Sequence, residues 1–138
     1  MGVCDHLFVY GTLMPSARTL LGAVERTRLM SEAEHLGSGD VAGQLVDLGS
    51  YPGLVVSSSA DRLVHGDVFR LQDPQATFSW LDAYEGLEPD AAVSEYRRVT
   101  LTVRWRKPDR MTLSAWAYIM EEVPLNAQLI DATRWDGG

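Results

Sequence analysis

A run of four apolar residues near the start of the chain, Leu7–Tyr10, is the feature that most constrains the fold. A strand with apolar side chains at successive positions is apolar on both faces, so both faces must be buried. Gly11 follows directly and ends the run. The pattern therefore predicts a central strand covered on both sides, with a turn immediately after it.

Strand patterns recur along the rest of the chain and outnumber helix patterns. We predict strands at 41–48, 54–56 and 64–71, then a long hairpin built from 99–105 and 111–120. The segment 99–105 alternates apolar and polar residues, which is typical of a half-buried strand. A strand-dominated chain with one clear helix predicts an α+β domain and favours a small mixed β-barrel.

The clearest helix signal begins at Asp73. Aspartate is favoured as an N-cap because its side chain accepts hydrogen bonds from the unpaired N–H groups of the first turn. Pro74 suits the first helical position, and Gly86 suits the left-handed position after the last turn. We therefore predict a helix over about 74–85.

The remaining segments carry weaker signals. Ser16 is a candidate cap for a short helix through Leu20 and Leu21, and Arg28–Met30 is a candidate start of a strand. Glycine, proline and polar residues predict a turn at 37–40 and loops at 49–53 and 87–95. The tail, 121–138, is expected to be loosely ordered.

Length and composition indicate one domain over residues 1–138. The chain has 46% apolar residues, enough to fill a single core. It contains no segment of about 20 apolar residues that would cross a membrane, and its start does not resemble a secretory signal. Its single cysteine, Cys4, has no internal disulfide partner. We expect a cytoplasmic protein without a membrane partner.

Charge and histidine spacing argue against two further classes of function. The net charge is -7 and the basic residues are mostly scattered, whereas nucleic-acid binding requires clustered Lys and Arg. We therefore expect no nucleic-acid partner. The histidines, His6, His35 and His65, lack the spacing of metal ligands, so no metal site is expected.

The turn after the first strand, Tyr10–Leu13, is the first candidate site. Gly11 allows the backbone to approach a ligand closely because it has no Cβ. Successive N–H groups after such a strand can form a concavity that binds anions. A simple turn after a core strand explains the same spacing, so both interpretations stay open at this point.

Glu85 is the second candidate, since it shares a helical face with Phe78 and Leu81. At a helix C-terminus the macrodipole disfavours a carboxylate, and desolvation adds to this, so both effects raise the pKa. A raised pKa suits a general acid–base group near neutral pH. A surface glutamate in a last turn is the alternative. Four further acidic residues flank Glu85, and a solvated loop explains most of them: Asp82, Glu88, Asp90 and Glu95.

An ordered set of short motifs resembles the γ-glutamylcyclotransferase-like superfamily. The match spans about residues 7–120 in the family's order, which leaves 121–138 as a tail without a confident match. The motifs are Val9–Leu13, Gly43–Leu45, Asp47–Gly49, Tyr51–Leu54, Val64–Phe69, Leu81–Gly86, Tyr96–Arg98 and Ala115–Tyr118.

The resemblance implies a compact barrel with flanking helices and a small-molecule γ-glutamyl substrate. It implies that backbone N–H groups of Tyr10, Gly11, Thr12 and Leu13 hold the γ-glutamyl part and that Glu85 is the catalytic residue. The expected reaction closes 5-oxoproline and releases an amine. It requires no cofactor, because the nucleophile and the electrophile belong to one molecule. Tyr10 and Tyr96 are candidate lining residues, and core packing explains each of them about as well.

Three other interpretations remain open. The same fold could be a non-catalytic module that binds a small metabolite. It could be an interaction domain that uses the acidic segment 87–95. A related enzyme would remove γ-glutamyl groups from a biosynthetic intermediate.

Overall fold

A computed structural model of the chain describes residues 5–15, 17, 22–48, 52–56, 62–85, 96–105, 112–120 and 128–130. These residues form two helices and seven strands. In chain order they are β1 (His6–Val9), α1 (Ala23–Glu32), β2 (Ala33–Asp47), β3 (Pro52–Val56), β4 (Leu63–Leu71), α2 (Pro74–Tyr84), β5 (Arg97–Trp105), β6 (Thr112–Ile119) and β7 (Gln128–Ile130).

Five of these strands close into a barrel in the order β2, β4, β1, β6, β5. The pairing of β5 with β2, at Gly39–Trp105 and Asp40–Arg104, completes the circle. Strand β1 runs parallel to β6, while the other barrel pairings are antiparallel. Strands β3 and β7 pair with the second half of β2. The predicted α+β fold with a small mixed barrel and flanking helices is confirmed.

The long strand β2 corrects the predicted turn at 37–40. These residues continue β2, and only the register with β4 shifts, between His35 and Gly37. Gly39 is required by close packing, because a Cβ there would lie 2.5 Å from the Cγ1 atom of Val103 and 3.1 Å from the carbonyl oxygen of Arg104. Gly39, which resembled part of a turn signal, therefore permits barrel closure instead.

Helix α1 corrects a second prediction, since Arg28–Met30 lies inside this helix and does not open a strand. Leu29 is its one buried residue, so the apolar stripe that would identify a helix from sequence is nearly absent. Apart from Ala17, the short helix predicted between Ser16 and Leu21 falls outside the described residues.

Helix α2 forms where its sequence predicts. The Asp73 side chain accepts a hydrogen bond from the N–H of Ala76 at 3.2 Å, and Pro74 occupies the first turn. The helix buries Phe78 and Leu81 and ends at Tyr84, one residue before the predicted end. Gly86 and the acidic segment 87–95 lie outside the described residues.

The other predicted strands form with small changes in their limits. Pro52 and Gly53, predicted to belong to a loop, are the first residues of β3, a position that proline tolerates because it needs no ladder donor. The hairpin of β5 and β6 pairs from Arg97–Ile119 to Arg104–Thr112. The tail prediction is wrong for Gln128–Ile130, which pair with β2 as β7.

The barrel core contains the apolar run that opened the sequence. Leu7, Phe8 and Val9 are buried, as are Val68 and Phe69 on the neighbouring β4. Burial on both faces of β1 agrees with the central strand predicted from this run. Within the described parts of the chain, neither helix combines the length and apolarity needed to cross a bilayer.

Glu32, at the end of α1, connects the two helices. Its Oε1 atom accepts hydrogen bonds from the Thr77 hydroxyl at 2.9 Å and the Trp80 indole N–H at 3.0 Å. Its Oε2 atom accepts a hydrogen bond from Nε of Arg28 at 2.7 Å. The bonds from Trp80 and Arg28 lower the pKa of Glu32, against an opposing effect of burial. The carboxylate form of Glu32 is therefore the one that holds α1 against α2.

We predict that Glu32→Gln lowers the free energy of unfolding by about 1–2 kcal/mol at pH 7, because charged hydrogen bonds are lost. The pKa of Glu32 lies below the ordinary value of 4.5 in the folded state. Its contribution is therefore present above that value and disappears as pH falls through the folded pKa. Urea denaturation at a series of pH values should show the parent and variant converging in acid.

The exposed Glu34 provides the matched control, since Glu34→Gln makes the same chemical change on the surface of β2. It should change the unfolding free energy by less than about 0.5 kcal/mol. If the unfolding free energies of the parent and Glu32→Gln differ by the same amount at neutral and acid pH, the ionised Glu32 does not hold the two helices together.

Candidate active site

The turn after β1 packs against the start of β3. Tyr10, Thr12 and Leu13 are buried, and the N–H of Met14 donates to the carbonyl oxygen of Gly11 at 3.0 Å. A Cβ on Gly11 would lie 2.9 and 3.0 Å from the Pro52 ring. Glycine is therefore needed here for the contact with β3, whatever else the turn binds.

Thr12 is the point where both helices meet this turn. Its hydroxyl shares a 2.7 Å hydrogen bond with the Tyr84 hydroxyl at the end of α2. Its carbonyl oxygen accepts a hydrogen bond from Nε of Arg26, on α1, at 2.9 Å. The last turn of α2 is thereby fixed beside the turn that follows β1.

Glu85 is the C-cap of α2 and is half-buried. Its N–H donates to the carbonyl oxygen of Leu81 at 2.9 Å, so the helical path continues to this residue. Burial raises the pKa of the neighbouring Tyr84 hydroxyl, and the negative charge of Glu85 raises it further, while the bond to Thr12 opposes them. The Glu85 carboxylate thus acts electrostatically on a group that touches the turn.

Tyr118, on β6, lies within the same electrostatic field. Burial raises the pKa of its hydroxyl most, the hydrogen bond to Asp82 adds to this, and the charges of Asp82 and Glu85 contribute further. The hydroxyl therefore keeps its proton throughout the physiological pH range. It donates that proton to Oδ1 of Asp82 at 2.6 Å.

Two other tyrosines hold the surrounding strands together. The Tyr10 hydroxyl donates to the carbonyl oxygen of Tyr118 at 2.6 Å, which joins the end of β1 to β6. The Tyr96 hydroxyl donates to the carbonyl oxygen of Pro52 at 2.8 Å, which joins the residue before β5 to β3. Both side chains belong to the buried core as well as to the neighbourhood of the turn.

Asp82 and Arg98 form an ion pair beside Tyr118, and neither was among the site residues predicted from the sequence. Arg98 donates from Nε and Nη2 to the two Asp82 carboxylate oxygens, at 2.9 and 3.2 Å. A solvated loop does not explain Asp82, because this residue belongs to α2 and its side chain is paired and only 28% exposed. The one available signal was its place three residues before Glu85, which puts both carboxylates on one helical face.

His35 and His65 each interact with a different aspartate. His35 pairs with Asp67 at 2.9 Å, and His65 pairs with Asp40 at 3.2 Å. Among the residues that the structure describes, no three His, Cys, Asp or Glu side chains are grouped as metal ligands would be.

Comparison with known proteins supplies the family. The model of the family described as "Gamma-glutamyl cyclotransferase, AIG2-like" matches residues 7–137. The chain belongs to this family. A protein of Vibrio cholerae serotype O1 named "Putative gamma-glutamylcyclotransferase" is 34% identical over 134 residues, which cover 95% of this chain and 96% of that protein.

Solved structures place the AIG2-like chain in the same fold. The crystal structure of an AIG2-like protein from Mus musculus has a TM-score of 0.72 at 19% identity, over 98% of this chain and 90% of that one. A structure named gamma-glutamyl cyclotransferase has a TM-score of 0.59 at 16% identity, over 90% and 68% of the two chains. At these identities the likeness shows the fold alone.

We predict that Thr12 and Tyr84 are energetically coupled in this AIG2-like chain. Either Thr12→Val or Tyr84→Phe leaves a half-buried hydroxyl without its partner and should cost about 1–2 kcal/mol. The double variant should cost less than the sum by about 1 kcal/mol, because neither hydroxyl remains. Urea denaturation of the parent, the two single variants and the double variant measures this coupling.

Thr27→Val combined with Tyr84→Phe is the control cycle. The Thr27 hydroxyl is exposed and donates to the carbonyl oxygen of Ala23, so it shares no partner with Tyr84. In this control, the unfolding free energies lost in the two single variants should add up to the loss in the double variant. If the losses also add up in the Thr12–Tyr84 cycle, the hydrogen bond does not hold the end of α2 to the turn.

Proposed function

We propose that the chain is a γ-glutamylcyclotransferase-like enzyme that converts a γ-glutamyl amide or amine to 5-oxoproline and releases the amine. Membership of the family and the name of the 34% identical relative support the reaction class. The observation that carries the residue assignment is the Thr12–Tyr84 hydrogen bond, which brings the helix end bearing Glu85 to the Gly11 turn.

The proposed reaction takes place within one substrate molecule. The α-amino nitrogen attacks the γ-carbonyl carbon, and the new C–N bond closes a five-membered lactam. The bond from that carbon to the other nitrogen then breaks. The enzyme's main task is to fold the substrate into reactive geometry, and such positioning can contribute up to roughly 7–11 kcal/mol. No cofactor is required by this chemistry.

Glu85 is the proposed carrier of protons in this reaction. The α-nitrogen starts as an ammonium, which cannot attack, and ends as a lactam N–H, so it loses two protons. The departing nitrogen gains two if it leaves as an ammonium. A carboxylate beside both nitrogens can take each proton and pass it on, and such transfer contributes about 10² to 10⁴ in rate.

The turn over Gly11, Thr12 and Leu13 is the proposed holder of the γ-glutamyl group. Its backbone N–H groups would bind the substrate carboxylate or the oxyanion that develops on the γ-carbonyl oxygen. Tyr10 and Tyr96 would line the site through their rings, since their hydroxyls donate to backbone carbonyls. Neither tyrosine is assigned a proton-transfer role.

We predict that Glu85→Gln, which preserves shape and removes the base, lowers 5-oxoproline formation at least about a hundredfold. The parent and variant are incubated with γ-glutamyl amines, γ-glutamyl amino acids and glutathione, and 5-oxoproline is quantified. Glu34→Gln serves as the matched control. In the sheet, Arg70 of β4 lies between Glu34 of β2 and His6 of β1, the first residue of that strand. Glu34 therefore lies near the end of β1 that is opposite to Gly11. It should retain parental activity.

Two results would overturn the proposal in different ways. A Glu85→Gln variant as active as the parent would remove Glu85 from the mechanism. If calorimetry detects binding of γ-glutamyl compounds to the parent but none is turned over, the chain is a binding module of the same fold.

A further inference from the structure

We propose that the Arg98–Asp82 ion pair is a positioning element that sets the proton affinity of Glu85. The inference rests on the proposed function, since it assumes that Glu85 is the acid–base group. It assigns a role in the reaction to two residues that neither the family match nor the relatives' names identify. The pair joins α2 to the β5–β6 hairpin.

The Asp82 carboxylate accepts three hydrogen bonds from the β5–β6 hairpin. Arg98 donates twice to the carboxylate, and the Tyr118 hydroxyl donates to Oδ1 at 2.6 Å. Arg98 and Tyr118 are direct register partners, so they lie side by side on one face of the hairpin. A single carboxylate of α2 thus meets a cation and a hydroxyl on adjacent strands.

Stacking fixes the Arg98 side chain in this place. Its guanidinium carbon lies 4.0 Å from the centre of the Phe78 ring and 4.7 Å from that of Trp116. The Arg98 and Asp82 side chains are 25% and 28% exposed. A bidentate ion pair packed against two aromatic rings has a defined geometry, unlike most surface ion pairs.

Glu85 follows Asp82 by three residues on the same helical path, so the two carboxylates lie on neighbouring positions of one face. Like charges at such separation disfavour ionisation, and an opposite charge favours it. The Asp82 carboxylate therefore opposes a negative Glu85, and the Arg98 cation offsets that opposition. The charges of Asp82 and Glu85 both raise the pKa of the Tyr118 hydroxyl.

Other groups around Glu85 complete its electrostatic surroundings. Thr12 approaches through its bond to Tyr84, and Glu25 and Arg26 of α1 act on Tyr84 with opposite charges. Among the described residues, the titratable or charged groups on the elements around Glu85 include Asp82 and Tyr84 of α2, Tyr118 of β6, Arg98 of β5, and Glu25 and Arg26 of α1. Tyr10 and Tyr96 lie farther along the same end of the barrel, bonded to the carbonyl oxygens of Tyr118 and Pro52. Among these groups, Arg98 and Asp82 form one contact in which either the positive or the negative charge can be removed by a single substitution.

The two halves of the pair should change the pH profile in opposite directions. The rate rises with pH as Glu85 loses its proton, so the acid limb of kcat/KM follows the pKa of Glu85. Asp82→Asn leaves the Arg98 cation uncompensated and should move that limb to lower pH. Arg98→Met keeps the apolar contacts with Phe78 and Trp116 but leaves the Asp82 carboxylate uncompensated, and should move it to higher pH.

The experiment measures pH profiles for the parent, both single variants and the double variant Asp82→Asn, Arg98→Met. Each single shift is expected to be about half a pH unit or more, with the double variant near the parent. Arg97→Met, which removes the same charge from the opposite face of β5, should leave the profile unchanged. Thermal melts confirm that each variant is folded across the pH range used.

Shifts of the same sign, or losses of activity without any shift, would show that the pair is merely structural and overturn the inference. Glu85→Gln separates this failure from failure of the proposed function. If that variant loses activity while the profiles do not diverge, Glu85 keeps its role and the pair does not set its proton affinity. If Glu85→Gln is fully active, the proposed function itself has failed.

Discussion

The parallel pairing of β1 with β6 is the constraint on which the proposed site depends. Because the two strands run in the same direction, their carboxyl ends, marked by Tyr10 and Tyr118, lie at one end of the barrel. Strand β5 runs antiparallel to β6, so Tyr96 at its beginning arrives at that end as well. An antiparallel β1–β6 pair would place the Gly11 turn at the far end of the hairpin, away from Glu85.

Tyrosine hydroxyls then fix this end of the barrel. Tyr10, Tyr84, Tyr96 and Tyr118 each form a hydrogen bond to another element, and most of each ring packs against the core. A tyrosine suits this position because it buries a large ring and still satisfies a polar tip. The proposed cyclisation depends mainly on holding a flexible substrate in one conformation. An end of the barrel that is fixed by hydrogen bonds suits this chemistry.

The elements that were predictable from the sequence are those determined by interactions between residues close together in the chain. Helix α2 was predictable because Asp73 caps it directly, and the buried strand β1 because both of its faces are apolar. The segment 37–40 was not predictable, because Gly39 is required by its packing against Val103 and Arg104, on a strand over sixty residues away. The ordered motifs indicated the turn and Glu85. The Asp82–Arg98 contact joins a helix to a hairpin and has no local signature.

The Arg98–Asp82 pair is better explained by the proposed site than by stability. Withdrawing two charges from water costs free energy that their attraction often only offsets, so an ion pair of this kind is weak evidence for a role in stability. Phe78 and Trp116 already pack against the Arg98 guanidinium, and an apolar side chain of similar volume would keep these contacts. An apolar pair would supply no charge at this position, three residues before Glu85. A half-buried ion pair there is therefore consistent with a role in setting the proton affinity of the Glu85 carboxylate.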